Sequence, residues 1–281
     1  MEFSSADGDR QYAAVVRAAD GLVVGLDFDG VLSPIVDDPE RAEIHPDGPA
    51  TLLDLAESVH GVAVVTGRPA RQVLALGGLD EVGNQLGERG RDLYVYGQYG
   101  NERWSSHDRR VISPKPPPGL ATLMSELPRI LKRHDAEDAW IEEKGLAIGV
   151  HTRRMDDPQA AFERLLDPVT EAARSHDLTV EPGRMVIEVR AGGMDKGHAV
   201  RKLAEDLEAG GFVFVGDDLG DIEAFKAVQE LRDGGMPTLL VCSGSHEQHA
   251  LRDMADVVVP GPDGVMAMLR ELVDDIRRNR A

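Results

Sequence analysis

The sequence predicts an α/β fold: a Rossmann-like parallel-sheet core domain with an α+β cap domain inserted into it. Three observations carry this. All-apolar runs alternate with helical periodicity in the first hundred residues, the same alternation returns in the last ninety, and a different pattern separates the two. Fully apolar strands joined by helices argue for a parallel sheet covered on both faces.

The elements follow in order. A helical stretch from Arg10 to Ala19 leads into an apolar strand, Leu22 to Leu26, that ends in Asp-Phe-Asp-Gly. Leu52, Leu53, Leu55, Ala56 and Val59 recur at helical spacing. A second strand, Val62 to Val65, ends in Thr-Gly-Arg-Pro, and Pro69 is placed to open a helix. Late in the chain come a helix from about Lys196 to Glu208, a strand from Phe212 to Val215 and a helix from about Asp221. Strands Thr238 to Cys242 and Asp256 to Val259 precede a final helix. Between these halves, the stiff segment from Ser113 to Gly119 carries four prolines. After it, helix-strand-strand is given twice: a helix through Leu120 to Leu131 with strands Ala139 to Glu143 and Leu146 to His151, then a helix from Pro158 to about Ser175, interrupted or kinked at Pro168, with strands Leu178 to Glu181 and Met185 to Arg190. The expected division is a core of residues 1–108 and 192–281 and a cap of 109–191.

Composition bounds the function. No apolar run approaches membrane-spanning length, and the start, MEFSSADGDR, lacks the pattern of a signal peptide. One cysteine, Cys242, cannot form an internal disulfide, so a cytoplasmic protein is expected. The net charge of -19 argues against nucleic-acid and membrane partners. It also repels phosphate, so a phosphate site here needs a bound cation and a few aimed basic groups to reverse the sign locally. A small-molecule partner is expected, and a monomer is the simplest assembly.

Ligands of open parallel sheets bind at the carboxyl ends of the strands, and four polar clusters fall there. Phosphoryl transfer needs a nucleophile, a hard cation with oxygen ligands, donors for the equatorial oxygens and an acid for the leaving alcohol. Asp27, Asp217, Thr66 with Lys196, and Asp29 meet those needs in turn. Asp217, Asp218 and Asp221 repel one another unless a cation joins them. Each residue alone has a plainer reading as a turn, a cap or a solvated lysine; all of them at strand ends and helix starts outweigh it.

These segments resemble a known family. Asp27-Phe-Asp-Gly-Val-Leu, Thr66-Gly-Arg, Lys196-Gly and Gly216-Asp-Asp-Leu-Gly-Asp resemble the four motifs of haloacid-dehalogenase-type phosphatases. The run from Leu26 to Pro39, Glu142 to Arg153 and Pro182 to Arg190 are similar to trehalose-6-phosphate phosphatases, and the resemblance extends from about Gly21 to the end. It implies Asp27 as nucleophile and magnesium ligand, and Asp29 as general acid, then base, lending its backbone carbonyl to the metal. It implies Thr66, Gly67 and Lys196 on the phosphate, Asp217 in the Mg2+ shell, and Asp218 and Asp221 supporting it. Glu142, Lys144, Arg184 and Glu188 of the cap, with Glu102 at the core rim, would meet sugar hydroxyls; the plainer reading of these five is cross-strand ion pairing. The chain departs from the family at Gly220, where a threonine is frequent, at Ile222-Glu223, where an acidic pair is frequent, and at Tyr99, where a histidine is common. Sucrose 6-phosphate, mannosylphosphoglycerate or another phosphosugar could replace trehalose 6-phosphate as substrate. A phosphomutase would use the same nucleophile, and a non-catalytic phosphosugar sensor would share the fold but not the full set of motifs.

Overall fold

The computed structural model describes residues 2–3, 6–36, 38–183, 185–193, 195–244 and 249–281. The chain divides into two compact units, Met1–Ser113 with Asp195–Ala281, and Pro114–Met194.

The first unit begins with β1 (Glu2–Phe3), α1 (Ala6–Arg17), β2 (Leu22–Leu26), α2 (Gly48–Ser58) and β3 (Gly61–Val65). Then come α3 (Ala70–Gly77), α4 (Leu79–Gly87), β4 (Leu93–Gly97) and β5 (Glu102–Ser105). The second unit holds α5 (Pro118–Arg133), β6 (Trp140–Glu143), β7 (Ala147–His151), α6 (Pro158–Arg174), β8 (Leu178–Gly183) and β9 (Val186–Ala191). The chain returns to the first unit with α7 (Lys196–Asp206), β10 (Gly211–Gly216), α8 (Ile222–Asp233), β11 (Thr238–Ser243), α9 (His249–Met254), β12 (Val257–Val259) and α10 (Gly261–Arg280).

Eight strands form the sheet of the first unit, in the order β1-β12-β11-β10-β2-β3-β4-β5. The six inner strands are parallel, and β1 and β5 close the edges antiparallel. Alternation along the strands divides the apolar side chains between two layers. Leu22, Val24, Leu26, Val62, Val64, Val213 and Val215 face one layer, built from α1, α2, α3, α4 and α10. Val23, Ala63, Val65, Phe212, Phe214 and Cys242 face the other, with α7, α8 and α9. Both faces being covered explains why β2, β3 and β10 contain no polar residue at all. Each fully buried Leu, Val or Phe contributes about 1.5–3 kcal/mol relative to exposure, so the strand framework is stiff where it ends at the polar loops.

The second unit is an antiparallel sheet, β6-β7-β9-β8, with one apolar face. Ile148, Val150, Ile187 and Val189 pack there against Leu123, Leu127 and Leu131 of α5 and Leu165 and Val169 of α6. The interruption expected at Pro168 does not occur: α6 runs from Pro158 to Arg174 through the proline. Its buried stripe, Ala161, Leu165, Val169 and Ala173, holds the helix together, and the proline leaves only one carbonyl of a partly exposed face without its usual donor. No described helix is long and apolar enough to cross a membrane.

Candidate active site

The carboxyl end of β2 turns sharply after Leu26. The Asp27 amide donates to the Val215 carbonyl at 3.0 Å, which carries the β10 ladder one residue further and fixes the side chain at the junction of the two strands. Asp27 is buried, and its Oδ1 accepts from the Phe28 amide at 2.7 Å. Gly30 completes the turn with φ +69, and a Cβ there would lie 2.1 Å from Asp217 Oδ2, so only glycine lets the two loops approach. Ser243 Oγ, from the end of β11, donates to the Gly30 carbonyl at 2.6 Å.

Three buried carboxylates meet here. Oxygen atoms of Asp27, Asp217 and Asp221 all lie within 4.8 Å of one another. Lys196, the first residue of α7, is 4% exposed and places its ammonium between two of them, 2.7 Å from Asp27 Oδ2 and 2.7 Å from Asp221 Oδ1. Asp221 Oδ2 accepts from the amides of Asp217 and Asp218 at 2.9 and 3.3 Å, and Asp218 Oδ1 accepts from Gly220 at 2.8 Å. Both oxygens of Asp221 are thereby engaged, which fixes the loop and the lysine.

Burial pushes the Asp217 carboxyl up to about 9, with the charges of Asp27, Asp221 and Asp218 adding to it. Burial likewise raises Asp27 well above the usual carboxylate range, against the pull of Lys196. For Lys196, burial works to lower the ammonium, but the carboxylates of Asp221 and Asp27 outweigh it and the group stays protonated. Without a cation, the crowded carboxyls relieve their repulsion by holding protons. A divalent cation would displace those protons, and the all-oxygen donor set fits a hard one.

Thr66 and Gly67 follow β3 on the same edge of the sheet. Thr66 is buried, its amide donates to the Tyr96 carbonyl at 2.9 Å, and its Oγ1 accepts from the Arg68 amide at 3.1 Å. Arg68 has no role assigned by the sequence, yet it grips Asp29 with a fork: Nε donates to Oδ2 at 2.6 Å and Nη2 to Oδ1 at 2.7 Å. Its Nη1 donates to the Pro39 carbonyl at 2.8 Å, so one side chain ties the loop after β3 to two points of the β2–α2 connection. The Thr66-Gly-Arg run contains the signal, but not the partner, which lies 39 residues away. Glu102 turns toward α3, where its Oε2 accepts from the Ala70 amide at 2.7 Å and satisfies a helix-terminal donor.

In the second unit, the sheet face opposite the α5–α6 layer is polar. Glu142, Gly149, Glu188 and Glu181 stand in one cross-strand row. Lys144 Nζ lies 2.6 Å from Glu188 Oε2 and 3.8 Å from Glu142 Oε2, and His151 Nε2 is 2.8 Å from the same Glu142 oxygen. Glu188 is 6% exposed, and its Oε1 is buried with no hydrogen-bond partner among the described residues. A buried carboxylate oxygen left unpaired is costly, so this oxygen calls for a donor beyond the described residues. Glu142, Lys144 and Glu188, three of the four cap residues expected to meet sugar, therefore form one cluster; Arg184 lies outside the described residues.

Sequence and structure comparisons converge. The trehalose-phosphatase family profile matches residues 25–257. The chain is 30% identical over 90% of its length to a probable trehalose-phosphate phosphatase H of Arabidopsis thaliana, covering 72% of that protein. It is 28% identical to trehalose-phosphate phosphatase B of the same plant, over 86% of this chain and 66% of that one. The C-terminal domain of a C. albicans trehalose-6-phosphate phosphatase superposes with a TM-score of 0.75 at 19% identity, over 97% of this chain and 98% of that domain. The chain belongs to the trehalose-phosphatase family, phosphoric monoester hydrolases built on the haloacid-dehalogenase fold.

Proposed function

We propose that this chain hydrolyses trehalose 6-phosphate to trehalose and phosphate, with magnesium bound, through an aspartyl phosphate, an acyl phosphate on Asp27. The observation that carries the reading is the cluster of Asp27, Asp217 and Asp221 around Lys196. The first unit is then the catalytic core and the second the cap that selects the sugar.

Asp27 attacks phosphorus as the bond to the sugar oxygen breaks, and Asp29, released from the Arg68 fork and protonated, gives that oxygen its proton. Asp29, now a carboxylate, takes a proton from water as the water oxygen attacks phosphorus, freeing phosphate and Asp27. Thr66, Gly67 and Lys196 donate to the phosphate oxygens. Asp27, Asp217 and the Asp29 backbone carbonyl would hold the cation, with Asp218 and Asp221 bracing them. When bound, magnesium supplies the positive charge that offsets both the carboxylates and the phosphate.

Arg68 holds Asp29 by a bidentate pair, a geometry that lysine cannot reproduce. Arg68→Lys should lower turnover roughly ten- to a hundredfold, equivalent to about 1.4–2.7 kcal/mol of barrier. Steady-state rates at saturating substrate measure it, and turnover equal to wild type would make the fork dispensable to Asp29.

A phosphosugar panel tests the substrate. The core groups grip phosphate, which all candidates share, so discrimination rests with groups that reach the sugar. Lys144→Ala and Glu188→Ala should depress turnover of trehalose 6-phosphate at least about tenfold more than that of an aryl phosphate, because the wrong ligand leaves buried polar groups unpaired. Equal losses on both substrates would make this cluster structural. Higher kcat/KM for sucrose 6-phosphate, mannosylphosphoglycerate or glucose 6-phosphate would replace the trehalose assignment while leaving the chemistry intact.

A further inference from the structure

The loop after β4 is strained beside Thr66 and Gly67, the residues proposed to hold phosphate. Gln98 and Tyr99 are consecutive non-glycine residues with φ of +49 and +58. Left-handed backbone at such residues costs about 1–3 kcal/mol each and persists only where the surroundings impose it. Here the Gln98 amide donates to the Arg68 carbonyl at 2.9 Å, and the Tyr99 amide donates to the Thr66 carbonyl at 3.0 Å. The strained pair is therefore clamped onto the loop that carries Thr66, Gly67 and Arg68. The clamp brings the Tyr99 phenol against Gly67: a Cβ built there would lie 2.8 Å from Tyr99 Oη and 2.9 Å from Cζ. No unusual φ calls for glycine at Gly67; its missing side chain leaves the room that the Tyr99 ring takes.

The charges around the site say what a hydroxyl is for. Lys196 is shared between Asp27 and Asp221, and Arg68 is committed to Asp29 and Pro39. Both cations are largely neutralised by carboxylates. A phosphate entering this acidic site must find neutral donors for its remaining oxygens. Thr66 supplies one hydroxyl, and Tyr99 brings another to the same loop.

We infer that Tyr99 is a phosphate-contacting residue, its phenol hydroxyl donating to a substrate phosphate oxygen beside Thr66 and Gly67. The assignment rests on the phosphatase reading, and it gives the strain at Gln98 and Tyr99 a purpose: it delivers a neutral donor where further positive charge would be captured by the aspartates. Because the donor meets phosphate and not the sugar, its loss affects every phosphomonoester alike.

Tyr99→Phe keeps the ring against Gly67 and removes only the hydroxyl. With magnesium present, it should weaken inorganic phosphate binding about tenfold, the scale of one hydrogen bond to a charged group. It should also lower kcat/KM by a similar factor on both trehalose 6-phosphate and an aryl phosphate, with an unchanged melting temperature. Tyr99→His, which restores a ring N–H donor, should recover part of the loss. Calorimetric titration of inorganic phosphate into wild type and both variants reads the contact directly. Equal phosphate affinity in wild type and Tyr99→Phe overturns the assignment of Tyr99 and leaves the phosphatase reading standing. A loss confined to the disaccharide phosphate overturns it also, since the hydroxyl would then serve the sugar. Wild type that neither binds nor releases phosphate removes the phosphatase reading itself, and this assignment with it.

Discussion

Asp27→Asn should lower phosphate release more than about a hundredfold, an increase of over 2.7 kcal/mol in barrier, while the protein stays folded. The amide matches the carboxylate in shape and can still accept from the Phe28 amide, but it cannot attack phosphorus. In the cation-free protein the substitution relieves repulsion among the buried carboxylates but takes one counter-ion from Lys196, which keeps Asp221, so stability should change little. Steady-state assays and thermal melts with and without magnesium measure both effects. Turnover above a hundredth of wild type would place the nucleophile elsewhere.

The second large effect is expected at Lys196. A lysine at the first position of a helix meets the positive end of the helix dipole, and one that is almost fully buried also loses its hydration. Local preference and burial both oppose it, so its place depends on Asp27 and Asp221. Lys196→Met removes the ammonium at similar volume and leaves two buried carboxylates facing each other. Breaking a buried ion pair on one side costs about 3–5 kcal/mol, to be read from urea unfolding in chelator. Turnover should be lost as well. Wild-type stability together with retained turnover would mean that the lysine is neither a structural counter-ion nor a phosphate ligand.

Much of the fold is legible in the sequence because it rests on burial. Strands β2, β3 and β10 are apolar throughout since both faces of a parallel sheet are covered. The edges are harder to read: β5, Glu-Arg-Trp-Ser, has only a single bridge to Ile112 beyond it and carries no apolar run, and β4 is masked by its two tyrosines. α4 has no signal of its own because it follows α3 across Gly78 with no strand between.

The site divides in the same way. Asp27, Thr66, Lys196 and Asp217 are legible because each ends a strand or opens a helix. Arg68 is not, because its meaning comes from Asp29, distant in sequence and close only through the adjacency of β2 and β3. Tyr99 stands out as a departure, but its hydroxyl is placed by a backbone conformation that no residue pattern announces. Glu102 reads as a rim residue, and the helix end it satisfies becomes visible only in three dimensions.

The central claim is that Asp27 takes the phosphate from trehalose 6-phosphate. Acid-quenched wild type, mixed with the phosphate-labelled sugar and magnesium, should carry label on the peptide containing Asp27 before free phosphate appears. The same experiment with Asp27→Asn should leave the protein unlabelled. Rapid phosphate release with no label on that peptide would show water attacking phosphorus directly and would contradict the account.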